Sequence, residues 1–192
     1  MKLKIFVLCF ILAVFSASVF AADAQDEKAA MEMMMKLGAP GDQHKWLSSF
    51  EGNWNIAVKS WMDPSKPPQE STGACEYKMQ LGGRFLHQEC TGTMMGMPFN
   101  GMGTIGYDNV KKKYISTWMD NFGTSILWSE GTETDPGKAI TLTAAMDDGM
   151  MGPMQIREVF RMVDANKHVF EMYGTPKEGK EMKMMEITYT RK

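Results

Sequence analysis

The sequence predicts an all-β fold: a single up-and-down barrel of about ten antiparallel strands, with a short N-terminal helix closing one end. Three observations predict it. After Gly52 the chain runs as closely spaced segments of strand-forming residues, with no helical stretch between them. Short turn-forming links such as Gly82-Gly83, Asp108-Asn109 and Asp135-Pro136-Gly137 join them, so consecutive strands pair as neighbours. A meander of that length would leave exposed edges, and closing it into a barrel removes them.

Ahead of the barrel, residues 1–21 have the pattern of an export signal. Lys2 and Lys4 form a positive start, Ile5 to Phe15 is an apolar run, and Val19-Phe20-Ala21 is a small-residue cleavage site. The run is too short to span a membrane. Cys9 inside it lacks the small neighbours of a lipid attachment site. The mature chain is therefore expected to begin near Ala22 and to be periplasmic or secreted. Residues 22–41 form a charged, Met-rich leader, helical or disordered, stopped by Gly38-Ala39-Pro40-Gly41. The barrel domain takes residues 42–192. Asp42 is the expected N-cap of a helix over Gln43 to Phe50, with Trp46, Leu47 and Phe50 on one side.

Strands are expected at Trp54 to Trp61, Thr72 to Leu81, Arg84 to Thr93, Phe99 to Tyr107 and Lys113 to Asp120. Five more are expected at Thr124 to Thr132, Ala139 to Met146, Met154 to Val163, His168 to Tyr173 and Glu181 to Arg191. Counting the residues of the Gly82-Gly83 hairpin outward from its turn sets Cys75 opposite Cys90. A two-residue turn puts them at a hydrogen-bonded pair, about 5.5 Å between Cα atoms, and a four-residue turn at a non-hydrogen-bonded pair, about 4.5 Å. Either spacing permits a disulfide in an oxidising compartment, and two adjacent buried thiols are the alternative. The side carrying Cys75, Tyr77, Met79, Leu81, Leu86 and Cys90 is assigned to the interior.

The net charge of −2 is mild and well mixed, which argues against a nucleic-acid partner. Three histidines, His44, His87 and His168, fall in no zinc-binding spacing, and no Gly-x-Ser-x-Gly is present, so neither a zinc site nor a serine triad is signalled. Methionine is abundant at 21 residues. Its clusters at Met31/Met33/Met34/Met35, Met94/Met95/Met97, Met150/Met151/Met154 and Met182/Met184/Met185 suit either apolar packing or soft coordination of Cu(I).

Several motifs in fixed order resemble a bacterial family catalogued only as a domain of unknown function. They are Gly82-Gly83-Arg84-Phe85, Gly106-Tyr107-Asp108, Thr117-Trp118-Met119-Asp120 and Glu186-Ile187-Thr188-Tyr189-Thr190-Arg191. The resemblance runs from about His44 to Lys192 and implies no activity. More distantly, Gly52-x-Trp54 and the terminal Arg191 are similar to the calycin group of lipocalins, fatty-acid-binding proteins and nitrobindin-like haem barrels. That likeness implies a stack of Arg191 on Trp54 across the barrel's base. The nitrobindin likeness would make His168 an axial haem ligand, but no cofactor is assigned.

On this basis the expected function is binding of a small hydrophobic or amphipathic molecule in the lumen by a monomer or weak dimer. Trp54, Tyr77, Tyr114, Trp118 and Trp128 are the candidate aromatic walls. Arg84 or Arg191 would meet a carboxylate head group. A Met-rich copper binder is one alternative. A lumenal enzyme working through a carboxylate such as Glu158 or Glu171 is another, and no catalytic residue is assigned.

Overall fold

The computed structural model describes residues 25–147, 149 and 152–192. The export-signal reading, Cys9, Met150 and Met151 lie outside the described residues. Residues 25–37 form helix α1, a unit by itself, with Lys28 and Glu32 paired one turn apart at 3.9 Å. Its Met31, Met33, Met34 and Met35 are all exposed.

The second unit, Pro40–Lys192, contains helix α2 (Asp42–Ser48) and the strands. Gly41, not Asp42, is the N-cap. Its N–H donates to Nδ1 of the buried His44 at 3.0 Å, so the ring three residues on does the capping expected of a carboxylate. The strands are β1 (Gly52–Ser60), β2 (Gln69–Gln80), β3 (Phe85–Met94), β4 (Met97–Asp108) and β5 (Lys113–Asp120). They continue as β6 (Leu127–Asp135), β7 (Ala139–Asp147), β8 (Pro153–Asp164), β9 (Lys167–Pro176) and β10 (Met182–Arg191). Each pairs antiparallel with its neighbour in sequence, and β1 pairs with β10 to close the barrel.

Strand direction alternates around the barrel, which fixes two ends. β1 leaves the end where α2 sits, so the links after β2, β4, β6 and β8 lie there too. The other links form the mouth. At the α2 end the interior is solid: Leu47, Phe50, Trp54, Tyr77, Leu86, Tyr114, Ile140 and Leu142 are buried in one cluster. Trp46 closes on Phe50 and Tyr114 with ring centroids 4.8 and 5.7 Å apart. Edge-to-face contacts of this kind add to the area term that drives burial.

The base is tied by Arg191. Its guanidinium lies 4.2 Å above the Trp54 ring, opposite Trp54 in the β1–β10 register. It donates to the backbone oxygens of Glu51 (2.7 Å), Ser49 (3.1 Å) and Ala165 (2.9 Å), and Trp54 Nε1 donates to Phe50 O (2.8 Å). Gly52 explains why the motif begins with glycine. Its φ is +134°, and a Cβ there would strike Arg191 Nη1.

The β2–β3 turn takes four residues, since Gln80 pairs with Phe85 and Arg84 N donates to Gln80 O. Cys75 and Cys90 form a disulfide with Cα atoms 4.1 Å apart, the close spacing the longer turn predicts. Both sulfurs point inward. At the mouth, β3 and β4 run further than the sequence suggested, to a two-residue turn at Met95-Gly96 with φ of +52° and +77°.

Candidate functional site

Above the solid base the lumen opens into a cavity of about 280 Å³. Its depth is set where large side chains give way to small ones. On β2 and β3, Gly73 faces Gly92 two pairs above the disulfide, and the two backbones approach so closely that a Cβ on either would crowd the other strand. On β4, Gly101 and Gly103 leave a bare floor over which the Trp118 indole lies flat; a Cβ at Gly101 would collide with its six-membered ring. Trp118 Nε1 donates to Asp120 Oδ2 at 3.1 Å, and Phe99 stacks alongside at 6.4 Å. The indole thereby becomes a wall near the mouth.

The rest of the lining is mainly apolar: Ile56, Val58 and Ile187 on one side, Phe160, Phe170 and Met172 on another. Phe160 and Phe170 pair across β8 and β9 with centroids 4.8 Å apart. Tyr189 lines the inner end. It is hydrogen-bonded to Tyr77 beneath, and burial pushes its hydroxyl up to about 12.

Polar side chains ring the mouth, Ser60, Thr93, Asp120 and Ser125 among them, and a few lie deep. Gln88, Ser116 and Glu158 line the cavity, and each is buried. Ser116 pairs with Ser129 in the β5–β6 register. Ser129 Oγ donates to Glu158 Oε2 at 2.6 Å, reaching across β7. Burial pushes the Glu158 carboxyl above the usual range, against the Ser129 hydrogen bond, which lowers it. A carboxyl so placed can accept a hydrogen bond from a guest or donate its own proton.

The structure brings only part of the expected site together. Trp118 lines the cavity. Trp54, Tyr77 and Tyr114 point inward but belong to the packed base, below the open space. Tyr114 also donates to Glu133 at 2.9 Å, and burial with that carboxylate raises its pKa. Trp128 is 49 % exposed on the outer face, because its neighbours Leu127 and Ser129 take the inward positions of β6. Neither arginine reaches the lumen. Arg191 is committed to Trp54 and three carbonyls, and Arg84 sits in the β2–β3 turn at the plugged end, bonded to Leu81 O at 3.0 Å. A carboxylate head group therefore meets no guanidinium among the described residues lining the cavity.

His168 does not suit a haem ligand. It is 1 % exposed, stacked on Tyr189 at 4.0 Å and edged by Trp54 and Phe50 at 4.4 and 5.0 Å, beneath the cavity. Those rings occupy the space an iron and its macrocycle would need. Neither ring nitrogen has a hydrogen-bond partner among the described residues. Burial, then the Arg191 charge, lowers its pKa to about 3, so it stays neutral. Glu171 faces outward and binds Lys183 Nζ at 2.5 Å, which holds its carboxyl low despite burial. The residues that sequence reasoning missed are Gln88 and Ser129. Their in–out parity was readable, but polar residues on an inward face look like solvent positions.

Among solved structures, the crystal structure of Rv2717c from M. tuberculosis is similar at 15 % identity, covering 80 % of this chain and 99 % of that one, with a TM-score of 0.56. A redesigned β-barrel, mFAP1, bound to DFHBI, matches more loosely: 14 % identity, 76 % and 97 % coverage, TM-score 0.41. The first likeness speaks to the fold alone. No curated protein matches the chain. The model of one family, described as "Protein of unknown function (DUF1579)", matches residues 39–191, and the chain belongs to that family.

Proposed function

We propose that this is an exported protein, a monomer or weak dimer, that holds a small apolar or amphipathic molecule in its lumen. The single observation that supports the reading most is the cavity of about 280 Å³ above a fully packed base. A meander needs no such space for its own stability, since lining atoms forfeit packing contacts. Its make-up, apolar walls with a few placed polar groups, is that of a small-molecule pocket, though it falls at the small end of the usual range. A guest on the order of ten heavy atoms fits that volume.

One observation favours copper as a second reading. Met154 and Met184 are buried on either side of Gly174, where a Cβ would crowd both sulfurs, and Met146 and Met172 pack around the same cluster. Thioethers are soft donors suited to Cu(I). Native mass spectrometry of protein purified from its own host separates the two. A co-purifying organic mass, lost on denaturation, is the expected result. A mass increment of copper, abolished by Met154→Leu with Met184→Leu, would replace it with the second reading.

A further inference from the structure

We infer that the lumen selects a molecule with an apolar body and an ammonium group, which the Glu158 carboxylate receives at depth; this rests on the lumen-binding reading above. The charge pattern of the lining carries the inference. Two acids face the cavity, Asp120 at the mouth and Glu158 inside, and no lysine, arginine or histidine is among the described residues lining it. Fatty acids and other anions would meet like charge at both levels and no donor of opposite sign.

Glu158 is the sharper of the two. It is 5 % exposed, and no basic side chain pairs with it among the described residues. Its hydrogen-bond partner is Ser129, a neutral hydroxyl. A glutamine would accept that hydrogen bond as well, without the cost of burying an ionisable acid. The carboxylate gains its advantage only when something brings the missing positive charge into the lumen. The surrounding rings fit the same occupant. Phe160 lies two residues along β8 from Glu158, its partner Phe170 shares the cavity, and ring faces attract cations in desolvated surroundings.

Three probes of equal chain length test this: octylamine, octanol and octanoate, titrated calorimetrically into the mature chain at neutral pH. The expected order is octylamine tightest, by about tenfold over octanol, with octanoate weakest. Glu158→Gln should abolish the preference, so that octylamine binds this variant no more tightly than octanol does. If octanol binds and the wild-type protein shows no preference for the amine, or the preference survives in E158Q, the inference is overturned while lumen binding stands. If none of the three shifts the methyl resonances of Met146 and Met172, lumen binding fails with it. Should E158Q not fold, the ranking in the wild-type chain decides.

Discussion

The two halves of the barrel are built by the same ten strands and yet have opposite interiors. Toward α2, inward positions carry Trp54, Tyr77, Leu86 and Tyr114, and the void left among the side chains there is about 10 Å³. Toward the mouth, the same strands present Gly73, Gly92, Gly101 and Gly103, and the space stays open. Strand pairing therefore does not decide where a barrel is solid. Side-chain volume along each strand does, and here it falls from Tyr77 to Gly73 on β2 and from Leu86 to Gly92 on β3.

Equal truncations should consequently cost unequal amounts. Trp54→Ala removes a fully buried ring and the seat of Arg191, and should destabilise by about 3–5 kcal/mol in urea unfolding. Phe99→Ala, a comparable loss of ring at the mouth, should cost under about 1.5 kcal/mol. Similar values for both would mean the mouth is as tightly packed as the base.

Next in size is the disulfide that stands at the boundary. Replacing Cys75 and Cys90 by serine should cost about 3 kcal/mol, given a loop of 15 residues, read as a lowered thermal midpoint that reductant no longer changes. A third test separates the halves by pH. His168 titrates near 6.5 when unfolded and near 3 when folded, so the unfolded chain takes up the proton first. Its contribution is whole above pH 6.5 and declines at about 1.4 kcal/mol per pH unit as pH falls toward 3. Buried His44 is shifted the same way, so part of the slope should remain. His168→Phe, which keeps a ring against Tyr189, should flatten the decline of melting temperature between pH 6.5 and pH 4. An unchanged slope would assign the acid sensitivity to other groups. The smallest effect belongs to Gly101→Ala. It should cost about 1 kcal/mol while forcing the Trp118 indole off β4, seen as a shifted tryptophan emission and weaker uptake of octanol.

Much of the base was legible because each contact has a local sequence mark. Gly52-x-Trp54 at one end and Arg191 at the other sit on strands that closure makes neighbours, and the cysteines follow from counting back from Gly82-Gly83. The mouth was less legible. Trp118 was readable from its strand, but its seat on Gly101 and Gly103 requires the β4–β5 register. Trp128 was misplaced because its ring was read as inward, whereas the alternation of β6 gives the inward positions to Leu127 and Ser129. The Ser129–Glu158 bond joins residues on strands that are not even adjacent, and no spacing announces it. The volume gradient that makes the cavity is likewise a sum over strands rather than a motif.

The inward-facing cysteine bridge has a practical corollary. Cys75 is 3 % and Cys90 5 % exposed, and Cys90 borders the chamber, so an attacking thiolate must travel the same corridor as any guest. A lodged molecule would shield the sulfurs. The speed at which a mild reductant opens the bridge thus becomes a label-free gauge of occupancy, with the protein reporting on its own contents.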